Sequence, residues 1–155
     1  MTFSNESELE HYLRHLIATH ITAKHPHIYA LENKKAVDIV ICRDGEKPAV
    51  FFLEVKLFQK SHGRLGIGTG RGSGYQPEIV ARAPAYFETH LRWIIVDGRK
   101  INASFLFIPT NTVRKYLAGA EIGKKFNNIQ PKLFKEVSAL DEMSLVDEMS
   151  TWLLE

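Results

Sequence analysis

Ala36-Val37-Asp38-Ile39-Val40-Ile41-Cys42-Arg43 and, after Asp44-Gly45-Glu46-Lys47-Pro48, Ala49-Val50-Phe51-Phe52-Leu53-Glu54-Val55-Lys56-Leu57-Phe58 are the stretches that decide how this chain folds. Both are dense in β-branched and aromatic residues, which pack well on a pleated surface. The segment between them has the glycine, aspartate and proline of a turn. The pair reads as a β-hairpin. If its turn centres near Glu46, Asp38 lies beside Glu54. Side chains alternate along a strand. Phe51, Leu53, Val55 and Leu57 therefore fill one face, and Val50, Phe52 and Phe58 flank Glu54 and Lys56 on the other.

Three charges interrupt these apolar runs, and they are the candidates for chemistry. A carboxylate taken out of water is expensive unless it is paired, hydrogen-bonded or bound to a cation. Asp38 and Glu54 on neighbouring strands would repel each other, and a divalent cation relieves that repulsion. Acidic oxygens suit Mg²⁺, which keeps water and substrate phosphate in the rest of its shell. Lys56, two residues from Glu54, would orient or activate such a water. Glu-x-Lys is also common on strands with one wet face; the apolar flanks of Glu54 and Lys56 set this pair apart.

Outward from the hairpin, residues 4–22 read as a helix. Ser4 or Asn5 caps it, acids lie in its first turns, and Leu9, Leu13, Leu16, Ile17 and Ile21 recur at helical spacing. Beyond the hairpin, Pro77 opens a helix to about His90, kinked at Pro84. Residues 91–97 form a strongly apolar strand, and Asp97-Gly98 turns it into another ending near Ile108. Thr110 or Asn111 caps a short helix through Leu117, and residues 119–135 are ambiguous. Ser144 to Leu154 is an amphipathic helix with Leu145, Met149, Trp152 and Leu153 on one side. The expected class is α/β (α+β): a central mixed β-sheet flanked by helices. All 155 residues make a single domain, with a core at 4–108 and a C-terminal extension, 109–155, ending in an acidic helix.

Composition narrows the classes. The chain is 45% hydrophobic and 25% charged, too apolar for wholesale disorder. Cys42 is its only cysteine, so no disulfide framework exists. No apolar run approaches the ~18 residues of a membrane span. The N-terminus lacks the basic-then-apolar order of a signal peptide. The expectation is a soluble, cytoplasmic protein. Six acids and no Lys or Arg lie between Glu136 and Glu155, so the remaining residues carry a net charge of +8. A basic body suits a polyanionic partner, although a solvated acidic helix explains the same asymmetry.

Val37-Asp38, fifteen residues, then Glu54-Val55-Lys56 resembles the core of the PD-(D/E)XK nuclease superfamily, the restriction endonuclease-like fold. Residues 4–108 follow that order: helix, hairpin with the motif, helix, strand. Val37 stands in place of the motif's proline. The resemblance implies a Mg²⁺-dependent endonuclease cutting DNA, of small restriction or mobile-element type, with Mn²⁺ as a substitute. It implies that Asp38 and Glu54 ligate the metal and that Lys56 positions the attacking water. It also implies a glutamate from the first helix, with Glu6 the first choice and Glu10 the second, and a glutamine at the start of the following helix, here Gln76. An ordinary helix-terminal role fits Glu6, Glu10 and Gln76 equally well.

Six glycines between Gly63 and Gly74 read as a mobile arm carrying Arg64, Arg71 and Tyr75, with Lys60 at its root, or else as a disordered linker. These residues would hold the DNA backbone. The glycines alternate, unlike a dinucleotide fingerprint, and no Gly-Lys-Ser/Thr follows them. His11 and His15 stand four apart but lack a third ligand, so zinc is not assigned. Double-strand cleavage by so short a chain requires a homodimer, for which the apolar side of helix 144–154 is one surface. The competing reading keeps the fold without catalysis: a module that binds nucleic acid or assembles with partners.

Overall fold

The computed structural model of the protein describes residues 1–31, 38–59, 65–66, 82–117 and 128–155. Helix α1 spans Glu6–Leu16. Asn5 caps it, its side chain accepting from the Glu8 amide at 2.9 Å, and Glu8 in turn accepts from the Ser4 amide at 2.8 Å. These bonds satisfy N–H groups that a helix start leaves without partners. The helix runs on into a wider π turn, Ile17–Thr22, so the expected span of 4–22 holds in outline. Leu9, Leu13, Leu16, Ile17 and Ile21 are all buried.

The hairpin consists of β2 (Ile39–Arg43) and β3 (Ala49–Phe58), preceded by β1 (Ile28–Leu31). Arg43 pairs with Ala49 and Ile39 with Leu53, which centres the turn on Glu46. Gly45 in that turn has φ +101°, a conformation that costs a residue with a Cβ. Strand β1 was absent from the sequence reading. It is four residues long, buries only Ile28 fully and pairs antiparallel along β2 at the sheet edge. A short edge strand is held by its neighbour rather than by its own propensity, which is why it left little trace.

Helix α2 (Pro84–His90) leads into β5 (Leu91–Asp97). Pro84 stands at the first position of this helix, where a missing N–H is harmless; residues 77–81 of the helix expected from Pro77 lie outside the described residues. The described chain beyond β3 includes β4 (Leu65–Gly66), which pairs antiparallel with β7 (Asn128–Ile129) in a separate two-stranded sheet. Strand β5 lies parallel to β3 and antiparallel to β6 (Phe105–Ile108). The main sheet runs β1-β2-β3-β5-β6, mixed because only β3 and β5 are parallel. At the β5 turn Gly98 donates to the Phe58 carbonyl at 2.7 Å, and a Cβ on Gly98 would stand 2.6 Å from that oxygen.

Three further helices follow among the described residues: α3 (Thr110–Arg114), α4 (Leu133–Glu136) and α5 (Glu142–Leu154). Thr110 or Asn111 was expected to cap α3, but neither does. The Thr110 hydroxyl instead accepts from Trp93 Nε1 at 3.0 Å, satisfying a buried indole, and Pro109 takes the cap position without a side-chain bond. One face of the sheet, with Leu53, Val55, Leu57, Ile94 and Val96, packs against α1 and α5. The other, with Phe58, Trp93, Ile95 and Ile108, packs against Val113, Ile129 and Leu133. The architecture is thus α+β, with a five-stranded mixed sheet and helices on both faces.

The apolar side of the terminal helix requires a correction. Leu145, Met149, Trp152 and Leu153 are buried in the same core as Leu9 and Leu13, and Phe105 and Leu140 exchange backbone hydrogen bonds of 2.9 and 2.8 Å. Helix α5 completes this chain's own interior, so its apolar side is not a dimer surface. Among the described residues no helix is long and apolar enough to cross a membrane.

Candidate active site

Strand β3 continues five residues beyond Leu53, the partner of the first residue of β2. Continuing that register by one step sets Asp38 opposite Glu54. Past this point carboxylates take the amides of β3. Asp38 Oδ2 accepts from the Val55 N–H at 2.6 Å, and Glu6 Oε1, from α1, accepts from the Leu57 N–H at 3.3 Å. The candidate site is therefore built at the flank of β3, where Glu6 and Glu10 of α1 approach Asp38, Glu54 and Lys56.

Glu54 is the most unusual of these residues. It is 0% exposed, and neither carboxyl oxygen has a hydrogen-bond partner among the described residues. Lys56, 6% exposed, brings Nζ to 3.5 Å from Oε1, close enough to act as a charge without forming a hydrogen bond. Across β5 the two residues pair with Trp93 and Ile95, both fully buried, so the surroundings are dry. Burial, and next the charge of Asp38, push the Glu54 carboxyl up to about 8; Lys56 opposes the rise but does not cancel it. Glu10, half-buried, is raised to about 7 by burial, by the charge of Asp38 and by a hydrogen bond with it. At neutral pH the cluster thus holds its charge down by retaining protons.

The residues expected from sequence divide as follows. Asp38, Glu54, Lys56 and Glu6 come together. Glu10, the second choice, is the α1 carboxyl engaged with Asp38, while Glu6 reaches further along β3 to Leu57. The two acids share the task because they stand one helical turn apart. Lys60, Arg64, Arg71, Tyr75 and Gln76 lie outside the described residues. His11 and His15 line an open cleft of about 660 Å³ on the outer side of α1, with Ser7, Glu8 and Tyr12. Sequence reasoning missed Arg14. Its guanidinium donates to the carbonyls of Leu31, at 2.6 Å, and Asp38, at 2.9 Å. The signal was present: Glu6, Glu10 and Arg14 form one stripe at spacing four along the helix.

Among the described residues no group of three or more His, Cys, Asp or Glu is arranged as a ready-made metal site. The donor set nevertheless fits a hard dication, which takes one or two carboxylates and completes its shell with water and phosphate. Two orphaned, buried carboxylate oxygens beside a second acid are the features such an ion satisfies. No family model, no curated protein and no solved structure matches this chain.

Proposed function

We infer that the protein is a Mg²⁺-dependent endonuclease hydrolysing DNA phosphodiester bonds on a restriction endonuclease-like fold. The observation that carries this reading is Glu54: a carboxyl buried completely, with no hydrogen-bond partner at either oxygen among the described residues, beside Asp38 and 3.5 Å from an ammonium. A purely structural sheet would favour a hydrophobic residue there, because burying a carboxyl whose hydrogen bonds are unmet costs stability even beside an ammonium. Asp38 and Glu54 would hold the cation, which supplies Lewis acidity towards the scissile phosphate and lowers the pKa of a water. The chain's own groups do the rest. Lys56 directs its ammonium into the same dry pocket, where it orients a nucleophilic water and balances charge building on the phosphate. Glu10, with a carboxyl near 7, holds or releases a proton close to neutral pH beside Asp38. Asp38 keeps one oxygen on the Val55 amide, which fixes the other's direction.

The substrate assignment to DNA rests on the positive charge outside the acidic C-terminal stretch. A small restriction-type or mobile-element nuclease is the specific reading, and cutting both strands would require a homodimer through a surface other than the buried side of α5. The test is nicking of supercoiled plasmid with Mg²⁺ or Mn²⁺, with EDTA, and with Lys56→Ala. Cleavage that needs the metal and falls at least ~100-fold in Lys56→Ala is expected. An intact plasmid in both metals sinks the reading. Binding without cleavage would instead identify a catalytically silent module.

A further inference from the structure

Asp38 is the one acid of the cluster that stands just ahead of its strand, so something other than the sheet ladder must hold it. Its side chain is held by the Val55 amide at 2.6 Å. Its main chain is held by Arg14, whose Nη2 donates to the Asp38 carbonyl at 2.9 Å. The same guanidinium donates through Nη1 to the carbonyl of Leu31, the last residue of β1, at 2.6 Å. One planar group thus ties α1, the end of β1 and the approach to β2 together. A guanidinium suits this task because its donors form a rigid fork, whereas an ammonium is a point charge on a flexible stem.

The geometry points to Arg14 as a positioning residue: by clamping the Leu31 and Asp38 carbonyls, it sets where the Asp38 carboxylate meets Val55 and Glu54. The inference rests on the nuclease reading for its effect on catalysis, but the clamp itself is observable without any cleavage. Arg14 acts chiefly through Asp38; its charge also opposes the rise of the Glu10 carboxyl one helical turn away, an influence that Arg14→Lys retains. A small displacement of a group at the chemistry is enough to slow a reaction roughly 100-fold.

Arg43 provides the control. It also donates to two carbonyls, those of Lys47 and Leu153, each at 2.7 Å, but at the opposite end of β2. The experiment compares wild type, Arg14→Gln, Arg14→Lys and Arg43→Gln by amide hydrogen exchange of Val55 and Leu57 and by kcat and KM for plasmid cleavage in Mg²⁺. In Arg14→Gln, Val55 exchange should quicken at least ~10-fold, since its charged partner is no longer held, and Leu57, bonded to Glu6, should stay protected. The kcat should fall roughly 10- to 100-fold, with KM within about twofold. Arg14→Lys should recover part of both effects. Arg43→Gln should lower thermal stability without changing kcat or Val55. The proposal is overturned if folded Arg14→Gln keeps Val55 protection and wild-type kcat, or if Arg43→Gln reproduces both changes. Should Arg14→Gln fail to fold, the same comparison in Arg14→Lys decides. If wild type does not cleave, the nuclease reading falls, and Val55 exchange alone decides whether Arg14 holds Asp38.

Discussion

Replacing Glu54 by glutamine should make the metal-free protein more stable at neutral pH, although the residue lies at the heart of the candidate site. The wild-type carboxyl has a folded pKa of about 8 against an ordinary value of 4.5. A folded value raised above the unfolded one stabilises the native state fully at acidic pH, and that stability is lost as pH rises from about 4.5 through 8. Each unit is worth about 1.4 kcal/mol, so by pH 7 the loss is on the order of 3 kcal/mol. Glutamine has nearly the same shape and does not titrate. Its amide meets the same desolvated surroundings as the protonated acid, so the exchange at low pH is close to neutral. The stability difference should therefore be small near pH 5 and widen to a few kcal/mol at pH 7. For a domain of this size that corresponds to a Tm gain of roughly 6–12 °C. Urea unfolding in EDTA at several pH values between 5 and 8.5 is the assay, with the slope m checked for constancy. A difference that does not change with pH would show that Glu54 is ionised and well paired in the native state. A wild type more stable than Glu54→Gln at pH 7 would refute the argument outright.

Two other expectations follow from the same structure. Millimolar Mg²⁺ or Mn²⁺ should raise the Tm of wild type and not that of Glu54→Gln, because only the native carboxylate pair offers the ion a site; at 100 times Kd the gain is about 2.7 kcal/mol. Equal shifts in both proteins would place the ion elsewhere. Gly98→Ala should destabilise the fold by about 1–3 kcal/mol, since its Cβ would meet the Phe58 carbonyl oxygen at 2.6 Å, and urea unfolding should show this with no change in metal response.

Local pattern was highly legible where a residue's own neighbours decide its state. The bounds of β3 and β5 follow the apolar runs 49–58 and 91–97, because strands buried on both faces read as near-continuous hydrophobic stretches. The first helix was legible from its cap and its leucine and isoleucine spacing. Thr110 was misjudged because a threonine both caps helices and accepts bonds from distant groups; here the distant group is Trp93. The terminal helix was recognised as amphipathic, yet amphipathicity does not say what covers the apolar side. In the fold Leu145, Met149 and Leu153 meet the core that α1 helps to build.

The candidate site divides along the same line. The sequence by itself determined that a hairpin turning at Glu46 brings Asp38 level with Glu54. Turn chemistry at 44–48 sets the register of the hairpin, and register sets which side chains are neighbours. It also determined that Lys56 shares the face of Glu54, since side chains alternate along any strand. Only the tertiary structure decided that Glu54 finds no hydrogen-bond partner among the described residues, that Glu10 engages Asp38 while Glu6 reaches Leu57, and that Arg14 ties down the Asp38 main chain. Those facts depend on how α1 lies across the sheet. Helical and strand periods state which side of an element is apolar, but not how far along a neighbour it comes to rest.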